Sequence, residues 1–112
     1  FVSLNCDLNP TSYRLIGERE LDLMKPAAYL INAARGPIVH EAALVKALQA
    51  RRIAGAALDV FETEPLPPDS PLRRLENCLL APHNANSSPA AALRVHENTI
   101  ANLLKGLQNP SR

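Results

Sequence analysis

Four side chains in this sequence are of the types that bind carboxylates and move protons, and each follows a short apolar run: Arg35, Asp59, Glu64 and His83. An arginine can grip a carboxylate through two parallel N–H bonds and polarise an adjacent carbonyl. A histidine backed by a carboxylate can shuttle a proton near neutral pH, because the carboxylate fixes its tautomer and favours the imidazolium. Taken singly, each has a plainer reading. Arg35 fits a surface charge, Glu64 a solvated loop acid and His83 a turn residue after proline. Their shared place in the pattern is what joins them.

That place follows from the elements around them. The run Ile53-Ala54-Gly55-Ala56-Ala57-Leu58 is uncharged and too short for a helix, as expected for a strand buried on both faces of a parallel sheet. Asp59, Glu62 and Glu64 follow it, and Pro65 closes the stretch. Residues 1–6 form an earlier β-prone run, with a turn at Asn9-Pro10-Thr11. Residues 27–33 give a second strand, with Arg35 and Gly36 just past its end, and Leu79-Leu80-Ala81 a fourth, closed by Pro82-His83. Between them, a helix is expected over 18–24, where Leu21 and Met24 fall at helical spacing before Pro26 stops it. A second is expected over 40–52, with Ala43, Leu44, Ala47 and Leu48 on one face and His40 a weak N-cap. The proline-laden segment 64–71 reads as an exposed loop. Ser88-Pro89 reads as N-cap and first-turn proline of a long helix through Ile100, Leu103 and Leu104 to Gly106-Leu107.

Alternating strands and helices predict an α/β fold with about four parallel strands and right-handed crossovers. In such a sheet the ends carrying Arg35, Asp59, Glu64 and His83 lie along one rim, where ligands gather. Strands side by side in chain order put every crossover helix on one face. The other face is then bare unless the last helix folds back or another segment covers it, and the first strand is an edge. Both features predict a piece of a larger doubly wound domain, and residues 1–4 already read as strand.

Composition narrows the partners. With 112 residues the chain is one domain at most, and its core must come from Ala, Leu, Ile and Val, since hydrophobic residues make up 46% and aromatics only 4%. A net charge of +1 with interspersed signs argues against nucleic acid and anionic membranes and favours a small-molecule partner. No apolar run approaches the length of a membrane span. Cys6 and Cys78 stand far apart with no CxxC pair or His/Cys cluster, so neither a metal site nor a disulfide framework is expected, but two reduced thiols in a cytoplasmic protein.

Several ordered motifs carry a resemblance. They are Leu15-Ile16-Gly17-Glu18-Arg19-Glu20-Leu21, Met24-Lys25-Pro26, Tyr29-Leu30-Ile31-Asn32-Ala33-Ala34-Arg35-Gly36, Ala57-Leu58-Asp59-Val60-Phe61-Glu62-Thr63-Glu64-Pro65 and Ala81-Pro82-His83. Together they resemble the D-isomer-specific 2-hydroxyacid dehydrogenases over nearly the whole chain. The resemblance implies the second half of a Rossmann-type dinucleotide-binding domain, with the glycine-rich half and the substrate domain absent from residues 1–112. It implies Arg35 as the substrate-binding arginine, His83 as the acid/base and Glu64 as the acid that orients it. Asp59 resembles the aspartate beside the nicotinamide. Asn5, Cys6, Asp7, Ala33 and Ala34 fall where the family lines the cofactor cleft, and Arg35, His83 and Asn86 border it. The implied cofactor is NAD, with NADP left open, and the implied substrates are a 2-oxo acid and a D-2-hydroxy acid. A homodimer is implied for the complete protein. The expectation is therefore a hydride-transfer enzyme or a piece of one. The alternative is a non-catalytic nucleotide-binding or dimerisation module, which has no need of Arg35, Glu64 and His83 together.

Overall fold

The computed structural model describes residues 1–85 and 87–108. Four strands, β1 (Val2–Leu4), β2 (Tyr29–Asn32), β3 (Gly55–Leu58) and β4 (Cys78–Leu80), pair in parallel in the order β1-β2-β3-β4. Between them run α1 (Glu18–Leu23) and α2 (Glu41–Gln49), and α3 (Pro89–Gln108) follows the last strand. The expected parallel sheet, the two intervening helices and the long terminal helix are all present.

Register explains which face is filled. It aligns Leu4 with Asn32 and Leu58, and Leu30 with Ala56, on the side against which the helices pack, and all five residues are buried. From the helices come Leu21 of α1 and Ala43, Leu44, Ala47 and Leu48 of α2, the apolar stripe expected from spacing. The pleat sends Ser3, Ile31, Ala57 and Leu79 to the other side, and Leu79 is 70% exposed. Phe1 stacks on Tyr29 at that face, ring centroids 5.6 Å apart. The last helix does not fold back over it. No residue of α3 is buried among those described, Leu107 is 67% exposed, and the molecule is 56 Å long against 28 and 25 Å across.

Local chemistry sets the boundaries. Glu20 reaches back to the Gly17 N–H at 3.0 Å and starts α1. Ser88 Oγ accepts the Ala91 N–H at 3.1 Å and starts α3, as its N-cap position predicts. β2 is shorter than residues 27–33, because a turn with the Ala28 N–H on the Lys25 carbonyl precedes it and the buried Asn32 side chain turns the chain out of the sheet at its end. The segment expected as an exposed loop over 64–71 is exposed at Glu64, Pro65, Pro68, Asp69 and Pro71, and is anchored at two points between them. Leu66 is 8% exposed, Ser70 is buried and caps a 3₁₀ turn at Pro71–Arg74, and Leu72 of that turn is fully buried. Proline content marks where regular hydrogen bonding stops, which does not decide what is buried.

Candidate active site

Three strand ends deliver the site. At the end of β2, Asn32 is 1% exposed, and both its amide nitrogen and its amide oxygen are hydrogen-bonded. Its Oδ1 accepts the Ala34 N–H at 3.1 Å and its Nδ2 donates to the Arg35 carbonyl at 3.0 Å. This Asx-type turn replaces the strand ladder and carries Ala33, Ala34 and Arg35 onto the rim. Arg35 is exposed there, its Nη1 bonded to the Ala34 carbonyl at 2.7 Å. The next residue, Gly36, lies so close to the 61–62 peptide that a Cβ would overlap the Phe61 carbonyl. Only glycine lets the two loops meet.

At the ends of β3 and β4 the parts are joined by hydrogen bonds. Asp59 is 7% exposed, and its Oδ1 and Oδ2 accept the N–H groups of Asn84 and Ala85 at 2.9 and 2.8 Å. These bonds hold the loop in which His83 adopts φ 55°, a left-handed conformation that non-glycine residues rarely take. His83 Nδ1 lies 2.7 Å from Glu64 Oε2, and Glu64 Oε1 accepts the Phe61 N–H at 2.9 Å. A carboxylate only accepts, so Nδ1 carries the proton of that bond and Nε2 is the atom that exchanges one.

The electrostatics follow the geometry. The His83 hydrogen bond, then the Phe61 N–H, hold Glu64 below the ordinary 4.5 against its partial burial, with the charges of His83 and Arg35 adding to the effect. Burial opposes ionisation of Asp59, but the Ala85 and Asn84 N–H groups, aided by His83, outweigh it and hold that carboxyl below 3.8. Both carboxyls therefore bind protons more tightly unfolded than folded. Their contribution to stability is complete above their ordinary values and lost as pH falls through the lowered ones. The melting temperature is expected to be level above about pH 5 and to fall below about pH 4. Asp59→Asn should remove part of that fall. A melting temperature unchanged down to about pH 3 would contradict the assignment.

Two open cavities adjoin these groups. One of about 640 Å³ is lined by Phe61, Glu64, Leu66, Leu80 and His83 among others. Another of about 540 Å³ is lined by Asn5, Cys6, Asp7, Ala33, Ala34 and Arg35, with Leu4 and Leu8. The residues expected at a cofactor cleft thus gather in two places: five with Arg35 in the second cavity, and Asp59 beneath the His83 loop. Asn86 lies outside the described residues. Asn5 bonds to Ser3 and Asp7 to Asn9, so their polar groups are held within their own loop. Cys78 is removed from this rim, its thiol pushed up to about 11 by burial and by the charge of Glu41. Among the described residues no cluster of three or more His, Cys, Asp or Glu could hold a metal, and no helix is long and apolar enough to cross a membrane. The roles of Asn32 and Gly36 went unread in the sequence. An asparagine closing an apolar run ahead of Ala-Ala-Arg-Gly is the signal for the first, whereas the second depends on a loop 25 residues away.

With this geometry in view, residues 1–85 match the family model described as D-isomer specific 2-hydroxyacid dehydrogenase, NAD binding domain. The chain belongs to that family. A glyoxylate reductase of Thermofilum pendens is 51% identical over 98% of this chain and 33% of its own. Among solved structures, the NAD complexed form of a D-isomer specific 2-hydroxyacid dehydrogenase from Lactobacillus delbrueckii ssp. bulgaricus is 33% identical, with TM-score 0.80 over 99% of this chain and 38% of that one. A family member from Xanthobacter autotrophicus Py2, in complex with NADPH and MES, is 46% identical, with TM-score 0.71 over 73% of this chain and 26% of that one. The chain spans about a third of the length of the curated relatives it matches. The Rossmann-type topology read from the strand order is that of its structural neighbours.

Proposed function

We propose that this chain supplies the acid/base side of an NAD(P)-dependent oxidoreductase that interconverts a 2-oxo acid and a D-2-hydroxy acid. The observation that carries the reading is the 2.7 Å contact of His83 Nδ1 with Glu64, on the rim that also presents Arg35. In reduction, Arg35 holds the substrate carboxylate through its planar fork and places the carbonyl oxygen at His83 Nε2. His83 gives its proton to that oxygen as it becomes a hydroxyl, and Glu64 keeps the ring oriented and compensates the imidazolium charge. In oxidation, neutral His83 takes the hydroxyl proton.

The cleft of Asn5, Cys6, Asp7, Ala33 and Ala34 fits a flat nicotinamide-bearing cofactor. The two alanine methyls leave its wall open, while Asn5 and Asp7, bonded to Ser3 and Asn9, stand at its edge. The cofactor, when bound, supplies the hydride for reduction and accepts it in oxidation. We place residues 1–112 in the second half of the dinucleotide-binding domain. They contain no GxGxxG phosphate cradle, and we assign that half and the substrate domain to sequence outside them. A homodimer of the complete protein and a cytoplasmic setting belong to the same reading, supported by the open apolar side of α3 and the two free thiols. A non-catalytic binding module leaves the His83 to Glu64 pair without a task.

The test is reduction of glyoxylate and longer 2-oxo acids by the complete protein, followed by NADH absorbance. Arg35→Lys keeps the charge and loses the fork, so KM for the acid should rise by about 10- to 100-fold with a smaller change in kcat. An unchanged KM would remove Arg35 from the substrate site.

A further inference from the structure

Two glutamates outside the His83 pair are tied to each other's backbone. The N–H of Glu41, the first residue of α2, donates to Glu62 Oε1 at 3.2 Å, and the N–H of Glu62 donates to Glu41 Oε2 at 3.1 Å. His40 stands at the capping position and makes no side-chain capping bond, so the carboxylate of Glu62 caps α2 from a distant loop. An anion suits a helix N-terminus, where N–H groups lack intrahelical partners. Two carboxylates meeting there repel each other, and Arg14 Nε, 3.8 Å from Glu62 Oε1, offsets part of that.

The consequence lies on either side of Glu62. The Phe61 carbonyl rests against Gly36, and the Phe61 N–H donates to Glu64 Oε1. Glu64 follows two residues after the latch and is itself exposed, with His83 Nδ1 and the Phe61 N–H as its bonded partners and Arg35 as the further charge that acts on it. Apart from those bonds, its direction is set by where residues 61–62 are held before it and where the buried Leu66 is held after it.

We propose that Glu62, together with Glu41, is a positioning residue for the Glu64 to His83 pair: their reciprocal carboxylate-to-backbone latch fixes residues 61–64 against α2 and aims Glu64 at His83. The inference rests on the reading of His83 as the acid/base. Opening the latch frees the Phe61 N–H and the His83 contact together. A latch that served stability alone would leave both in place.

The experiment compares Glu62→Ala, Glu62→Gln, Glu64→Gln and the double variant Glu62→Ala/Glu64→Gln in the complete protein. It reads steady-state kinetics against pH and the carboxyl ¹³C titration of Glu64, identified by its loss in Glu64→Gln. Glu62→Ala should lower kcat about 10- to 100-fold, the cost of a small misplacement, with little change in KM. It should also raise the Glu64 titration midpoint toward its ordinary value and move the alkaline limb of carbonyl reduction to lower pH. Glu62→Gln, whose amide oxygen still accepts the Glu41 N–H, should recover most of the loss. The double variant should show no shift of the limb beyond that of Glu64→Gln, since coupled sites are not additive. A lower melting temperature in Glu62→Ala with the Glu64 titration and the limb unmoved overturns the proposal, and so does full additivity in the double variant. Should Glu62→Ala fail to fold, Glu41→Ala removes the other half of the latch and is read in the same way. If the parent protein reduces no 2-oxo acid, the role of His83 falls, while the Glu64 titration, which needs no turnover, still decides the latch.

Discussion

Replacing His83 by alanine in the complete protein is expected to lower turnover by about 10²- to 10⁴-fold in both directions, the typical worth of a positioned acid or base. The expectation rests on a geometry in which Glu64 occupies Nδ1 at 2.7 Å and leaves Nε2 to exchange the proton. Alanine removes the exchanging atom and leaves Arg35 and the alanine-lined cleft untouched. NADH affinity, followed by fluorescence, should therefore change little, and so should KM for the acid. A companion variant separates orientation from proton supply. Glu64→Gln keeps shape and a hydrogen-bonding oxygen but loses the negative charge beside the ring, so the alkaline limb of reduction should move to lower pH while the acid limb of stability weakens. If His83→Ala weakens NADH binding as much as it slows turnover, His83 serves binding and the proton comes from elsewhere. If Glu64→Gln leaves the limb in place, the pairing has no role in the chemistry. Glu62 does not stand by as a substitute acid, because its carboxylate is spent on the Glu41 N–H and on Arg14.

Gly36→Ala should be the most damaging small substitution in the chain. The added methyl would overlap the Phe61 carbonyl and stand 2.6 Å from the Glu62 nitrogen. Both obstacles are backbone, which cannot rotate aside as a side chain can, so two loops must part. Overpacking commonly costs about 1–3 kcal/mol, and with backbone on the far side of the contact this site belongs at the top of that range or above it. Parting the loops also separates Arg35 from the segment that carries Glu64, so kcat/KM should fall together with stability. Denaturant unfolding beside kinetics checks both. A loss below about 0.5 kcal/mol, the size of an ordinary surface substitution, would show that the contact gives way without cost. Gly106 offers a control, since an added Cβ there meets nothing within 4 Å.

Much of this protein was legible from one dimension. Ala43, Leu44, Ala47 and Leu48 announce a buried helical stripe because a helix brings such spacings to one side. Uncharged runs between helices announce parallel strands, because a strand covered on both faces tolerates no polar alternation. Parallel strands share the direction of their carboxyl ends, so chain direction alone puts Arg35, Asp59, Glu64 and His83 on one rim. These are consequences of local periodicity and chain direction, and neighbouring residues are enough to carry them.

What only the tertiary structure decided depends on groups distant in sequence and on backbone atoms, which side-chain identities do not display. The sequence sets Glu62 two residues before Glu64, the acid that the resemblance implies for orienting His83. The fold separates them, because the N–H of Glu41 claims one and the loop after β4 brings His83 to the other. Asp59 was read as a residue facing a ligand, and the fold adds that both its oxygens accept backbone N–H groups of the His83 loop. The last helix could have closed over the open side of the sheet, and instead it projects, with its apolar residues exposed. Hydrophobic spacing marks which residues of α3 seek burial. It cannot name the surface that receives them, because apolar attraction is non-directional and the partner is chosen by shape in three dimensions.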